Sequence, residues 1–204
     1  MTRTFAGAGR SRRARGPDGP TPGSPADDGP EPDPSSVARQ ILLRKLTAAP
    51  RTRAELAADL AARDVPAAVA EQALDRFTEV GLIDDAAFAD SWVRSRHATR
   101  GLSSRALQRE LRSKGVDDET VSAAVGAIDL ESEVDTAAAL VARRLPSTRG
   151  LDRAARTRRL VGMLARKGYD GGLAMRVVRD ALAAEGSEQR GDGFDDERDS
   201  LTAL

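Results

Sequence analysis

Between about residue 35 and residue 184, apolar side chains recur at three- and four-residue spacing, the period of helices with one buried face. Val37, Ile41, Leu42 and Leu46 stripe a first helix that opens after Ser35 or Ser36. Thr52 and Glu55 have the spacing of a capping box, and Leu56 and Leu60 then share a face, which predicts a second helix over about 52–63. Pro66 suits the first helical position of a third, whose stripe is Val69, Leu74 and Phe77 and whose end Gly81 can form in left-handed conformation. Asp84 or Asp85 opens a fourth helix carrying Phe88, Trp92 and Val93. Ser103 or Ser104 opens a fifth, with Leu107 and Leu111, stopped by Gly115. Asp117 caps a sixth with Val121, Val125 and Ile128. After a short acidic join, Val134, Leu140, Val141 and Leu145 mark a seventh that ends before Pro146. The eighth runs over about 152–167 with Leu160, Met163 and Leu164, stops at Gly168, and gives way to a ninth with Leu173, Val177 and Leu182.

The middle helices of these three groups superpose. Leu56, Leu107 and Leu160 correspond, and four residues on lie Leu60, Leu111 and Leu164. The bases Arg63, Lys114 and Lys167 follow, then Asp64, Gly115 and Gly168 at the turn, then Val65, Val116 and Tyr169. An ordered run of leucine, leucine, base, turn residue and apolar residue, found three times, is the mark of a tandem repeat. Asp64 departs from the glycine of its counterparts, although aspartate tolerates left-handed geometry better than most residues. The predicted fold is all-α, with about nine helices in three tandem three-helix repeats (35–83, 84–129 and 130–184) forming an elongated curved array.

Composition narrows the function. The absence of cysteine removes disulfides, thiol nucleophiles and thiolate metal sites, and a single histidine, His97, leaves little for imidazole chemistry. No nucleophile with a paired base and no Gly-rich phosphate loop is visible, so the reading is of a non-enzyme without metal or cofactor. Residues 1–34 hold seven prolines among glycines and charges, and the acidic segment 185–204 opens on the run EGSEQRGDGFDDERDS with almost no apolar content; both are expected to be disordered tails. No apolar run has the length of a signal peptide core or a membrane span, which points to the cytoplasm.

The formal net charge is +0, but the charge is unevenly spread: 35–185 hold 25 basic against 21 acidic residues, and 186–204 hold two against six. Basic residues cluster in the second and third repeats. Arg94, Arg96, Arg100, Arg105, Arg109, Arg112 and Lys114 are interrupted only by Glu110, and Arg105, Arg109 and Arg112 share a helical face. A second cluster includes Arg156, Arg158, Arg159, Arg166 and Lys167. These twelve are the candidate partner-binding residues, suited to carboxylates or phosphates, and the lack of aromatic residues beside the arginines argues against base stacking.

Several motifs resemble those of the RecX family of RecA regulators, over about residues 38–182. Thr52-Arg53-Ala54-Glu55-Leu56 resembles the family's Ser-Arg-x-Glu-Leu opening, and Gly81-Leu82-Ile83-Asp84-Asp85 with Phe88-Ala89 resembles its repeat junction. Leu107 to Leu111 with Lys114-Gly115 resembles the second repeat, and Ala165-Arg166-Lys167-Gly168-Tyr169 the third, with Tyr169 where the family usually has Phe. The resemblance implies a monomeric regulator that lies in the groove of the RecA filament and inhibits its growth, ATPase and recombinase activity, with single-stranded DNA as a second candidate partner. The competing reading is a winged-helix transcription regulator, because Thr52 to Asp85 alone resembles a helix-turn-helix; a wing would require a β-hairpin next, where Ala86 to Arg96 has a helical period instead.

Overall fold

A computed structural model describes the backbone of residues 33–199 and the side chains of residues 33–187. Among them are nine α-helices and no strand: α1 Pro34–Ala48, α2 Arg53–Ala61, α3 Ala67–Glu79, α4 Asp85–Arg100, α5 Ser104–Ser113, α6 Asp118–Gly126, α7 Leu130–Arg144, α8 Arg153–Arg166 and α9 Gly171–Asp199. A 3₁₀ turn, Leu145–Thr148, places Pro146 just after α7. The segment where a wing would lie is helix, so the winged-helix reading has no structural support. The tail expected over 1–34 lies outside the described residues except at its end, where Pro34 is the first residue of α1.

Side-chain caps set most helix starts. Thr52 accepts from the Glu55 amide at 3.1 Å while the Glu55 carboxylate accepts from the Thr52 amide at 3.3 Å, completing the capping box. Asp84, Ser103, Asp117, Asp129 and Asp152 each accept from the amide three residues on. Each satisfies a backbone donor that has no partner within its helix. Two expectations shift slightly. Pro66 stands at the N-cap of α3, one residue earlier than the first helical position, and the acidic join before the seventh helix is the first turn of α7 itself.

Three hydrophobic clusters form the core, and each takes its buried residues from one repeat. Leu42, Leu56, Leu60, Leu74 and Phe77 centre the first. Phe88, Leu107, Leu111 and Val121 centre the second, and Val141, Leu160, Leu164, Tyr169 and Val178 the third. The helices pack mainly within repeats: α1 and α2 on α3, α4 and α5 on α6, α7 and α8 on α9. Hydrogen bonds such as those from Thr52 to Lys114, Arg53 to Asp85 and Ser104 to Glu133 run between the repeats.

The packed body also extends beyond Ala184. Glu185 is 6% exposed, and its carboxylate is held by Arg149 at 2.8 Å and by Arg156. Residues 185–199 continue the backbone of α9, so the acidic segment does not begin as a disordered tail at Glu185. Composition alone missed this because the two partners lie 36 and 29 residues away.

Candidate partner-binding surface

Each joint between repeats is built at the start of a middle helix. At α2, the Thr52 hydroxyl, fully buried, donates to the Lys114 carbonyl at 2.7 Å, so the turn that ends α5 rests on the cap of α2. The Lys114 ammonium reaches the capping-box carboxylate of Glu55 at 2.7 Å. Burial works against ionisation of Glu55, but Lys114 and the Thr52 amide outweigh it and hold its pKa below the ordinary glutamate value. The Arg53 amide donates to the Asp85 carboxylate at 2.9 Å, from the first turn of α4. Burial pushes the Asp85 carboxyl above its usual value, against the pull of that amide.

The second joint repeats the plan one repeat on. The Ser103 amide donates to the Lys167 carbonyl at 3.1 Å, and the Ser104 amide donates to Glu133 of α7 at 2.9 Å, as Arg53 does to Asp85. The Lys167 ammonium donates to the Arg100 carbonyl, and the Tyr169 hydroxyl to the Gly101 carbonyl at 3.2 Å. Burial, with a smaller contribution from Glu133, pushes the Tyr169 phenol up to about 12, so it stays a donor. His97 of α4 joins in: Nδ1 donates to the Leu102 carbonyl at 2.9 Å and Nε2 lies 3.0 Å from the Thr136 hydroxyl of α7. Gly115 and Gly168 sit at the points of closest approach with φ of +77° and +89°. Asp64 shares the left-handed geometry (φ +57°), but no repeat precedes it among the described residues, which accounts for its departure from glycine.

The twelve candidate basic residues therefore divide. Lys114 and Lys167 are joints. Arg96 lies 4.1 Å over the Trp92 ring and 3.9 Å from Glu110, Arg112 pairs with Asp118 at 2.6 Å, and Arg156 binds the buried Glu185 and Thr148. These five are committed within the chain. The side chains of Arg94 and Arg100 on α4, Arg105 and Arg109 on α5, and Arg158, Arg159 and Arg166 on α8 are exposed and make no ion pair or hydrogen bond among the described residues. Arg105 and Arg109 lie one turn apart, and Arg159 and Arg166 two turns apart, so each pair lies along one stripe of its helix.

The sequence reading placed Phe88 and Trp92 on the stripe of the fourth helix and saw no aromatic residue beside the arginines, but the structure sets Arg96 and Lys114 over the Trp92 ring. Phe88 and Trp92 stack with centroids 5.5 Å apart, Lys114 lies 4.4 Å over the Trp92 ring, and the Trp92 indole donates to Glu110 at 2.9 Å. The signal was available in the four-residue spacing of Phe88, Trp92 and Arg96, but Lys114 reaches it from another helix. Among the described residues no helix is long and apolar enough to cross a membrane.

The sequence matches three family descriptions in order: RecX, first three-helix domain, over 38–77; RecX, second three-helix domain, over 84–125; and RecX, third three-helix domain, over 131–178. It is 56% identical over 171 residues to the regulatory protein RecX of Streptomyces coelicolor, covering 83% of this chain and 91% of that one. Identity to the protein of the same name from Thermobifida fusca is 56% over 177 residues, covering 87% and 94%. For that of Mycobacterium tuberculosis it is 48% over 157 residues, covering 75% and 90%. The crystal structure of RecX from Lactobacillus salivarius superposes with a TM-score of 0.67 at 20% identity, over 72% of this chain and 96% of that one.

Proposed function

The chain belongs to the RecX family, and from that premise we propose that it is a non-enzymatic regulator that binds the RecA–DNA filament and inhibits its growth, ATPase and recombinase activity. It works in the cytoplasm, as a monomer and without a cofactor. The observation that carries the reading is the set of seven exposed arginines on α4, α5 and α8 that the chain leaves unpaired while it commits its other candidate bases internally. A surface of guanidinium groups without carboxylate partners suits planar, bidentate recognition of carboxylates or phosphates on a partner.

The test reverses Arg94, Arg105, Arg109 and Arg158 to Glu together. Exposed ion pairs contribute about 0.2–1 kcal/mol each, so four reversals should weaken filament binding at least about tenfold. Circular dichroism should show an unchanged fold, since exposed substitutions are usually within about 0.5 kcal/mol. Reversal of the exposed Arg39 and Arg63 in the first repeat is the control; Arg53 and Arg76 are unsuitable because Glu71 and Asp75 hold the first at 2.7 Å each and Glu79 holds the second at 3.2 Å. A folded quadruple variant with wild-type affinity at low salt would overturn the assignment. The salt slope separates partners: phosphate contacts release condensed counterions and make affinity fall steeply, whereas carboxylate contacts give a shallow slope.

A further inference from the structure

The two joints follow one plan, so their positions can be compared one by one. Pro50 stands two residues before the Thr52 cap and Gly101 two residues before the Ser103 cap, which pairs Leu46 with His97. The acceptors Asp85 and Glu133 correspond likewise, which pairs Phe88 with Thr136 and Trp92 with Leu140. At the second joint these positions touch. His97 Nε2 lies 3.0 Å from the Thr136 hydroxyl, and Leu140 packs on Gly101 so closely that an added Cβ would stand 2.9 Å from its Cδ1. At the first joint their equivalents, Leu46 and Pro50 against Phe88 and Trp92 of α4, line a cleft of about 480 Å³. One architecture is thus closed at the second joint and open at the first.

The open joint is also held at a single place. Its bonds between Thr52 and Lys114, Glu55 and Lys114, and Arg53 and Asp85 all converge on the cap and first turn of α2. Those of the second joint spread from the start of α5 over the end of α4 to Tyr169. Bonds gathered at one helix end form a pivot, whereas bonds spread over several elements resist rotation. The connections differ as well: residues 80–84 join α3 to α4, and only 127–129 join α6 to α7. The longer one contains Gly81, at φ +72° and with nothing within 4 Å of an added Cβ. A residue in open space at the end of an element is suited to absorb a change in backbone angles. A second hollow of about 300 Å³, between Arg53, Gly81 and Asp85, leaves room beside the pivot. Leu82, 51% exposed, lines the cleft, so closure would bury apolar surface and is favoured by it.

We propose that the first joint is a hinge: the first repeat turns about the start of α2 and closes the cleft onto α4, towards the arrangement that the second joint already has. The second joint stays fixed. Each repeat keeps its own core throughout, so the array changes curvature without unfolding. An array with one moving joint can follow partner surfaces of more than one pitch. The motion belongs to the free chain and does not depend on the reading of the chain as a filament binder.

The test uses the full chain, which has no cysteine, so introduced cysteines carry nitroxide labels at chosen places. Gln72, Ala123 and Arg176 are equivalent exposed positions of α3, α6 and α9. Gln72→Cys with Ala123→Cys spans the first joint, and Ala123→Cys with Arg176→Cys spans the second. Double electron–electron resonance should give a distance distribution at least about twice as wide across the first joint as across the second. Ser91→Trp, which sets an indole in the cleft, blocks closure and should narrow the first distribution to about the width of the second. Should that chain fail to fold, Ala87→Leu on the same wall takes its place. Equal widths for the two label pairs overturn the proposal without any cleft variant. A folded cleft variant whose first distribution is as wide as before also overturns it, because the motion would then not be closure of this cleft.

Discussion

Gly115→Ala is expected to destabilise the chain well beyond what its backbone conformation requires. Gly115 and Gly81 both have positive φ, +77° and +72°, so alanine at either place takes on a left-handed conformation that costs about 1–2 kcal/mol. At Gly81 nothing lies within 4 Å of the added Cβ. At Gly115 the added Cβ would overlap the Cβ of Ala54, far inside van der Waals contact, and both atoms belong to stiff helix ends. Relief requires the second repeat to move off the first, loosening the bonds from Thr52 and Lys114, and overpacking of this kind costs about 1–3 kcal/mol more. Each kcal/mol lowers Tm by about 2–4 °C in a domain of this size, so Gly115→Ala should melt several degrees below Gly81→Ala by circular dichroism. Ala54→Gly removes the atom that is struck. Combined with Gly115→Ala it should recover the packing part, a coupling of about 1–3 kcal/mol in a double-mutant cycle. Equal melting of the Gly115→Ala and Gly81→Ala chains, with no coupling to Ala54→Gly, would refute the account of the joint.

Glu185→Gln should destabilise by about 1–3 kcal/mol at neutral pH, because the partly buried Arg156 loses its counter-ion. Hydrogen bonds from Arg149 and Arg156 hold the Glu185 carboxyl below its ordinary value of 4.5, so this stabilisation is present above that value and is lost as pH falls through the lower folded value. Denaturant titrations at neutral pH and near pH 3 should therefore show the gap between wild type and variant narrowing; a gap that is constant with pH would rule out an ionic origin. Tyr169→Phe removes the bond to the Gly101 carbonyl and should cost about 0.5–1.5 kcal/mol by chemical denaturation, with filament binding unchanged. A change in affinity without a change in stability would make Tyr169 part of the binding surface.

Periodicity and capping residues made the helices and the tandem plan legible, since both are local: a stripe at three and four residues and a hydroxyl or carboxylate three residues before an orphan amide. The joints were not legible in the same way. Lys114 reads as one more base in a cationic run, and only the fold brings it to Glu55, 59 residues earlier. Arg112, Arg156 and Lys167 find internal partners in the same way, since a charge run in sequence carries no record of which members find carboxylates or carbonyls in space. The repeat alignment did hold the clue: Lys114 and Lys167 occupy one register, followed by glycine, and residues that hold a joint must recur with the joint. The hollow that Leu46, Pro50 and Leu82 of the first repeat form with Phe88 and Trp92 of α4 depends on two repeats meeting, and no pattern within either repeat announces it.

The turn residues make the number of repeats a property that can be edited. A further repeat placed ahead of the first, built on the same plan, would have to receive Asp64 where the later joints present Gly115 and Gly168. At Gly168 an added Cβ would stand 2.6 Å from the Ser103 hydroxyl and 2.7 Å from the Ala106 Cβ, and Asp64 already carries that atom and a carboxylate besides. Duplication of the N-terminal unit, in evolution or by design, would thus give a chain whose new joint is blocked until that one codon changes. A designer who wants a longer array of these repeats should begin with Asp64→Gly.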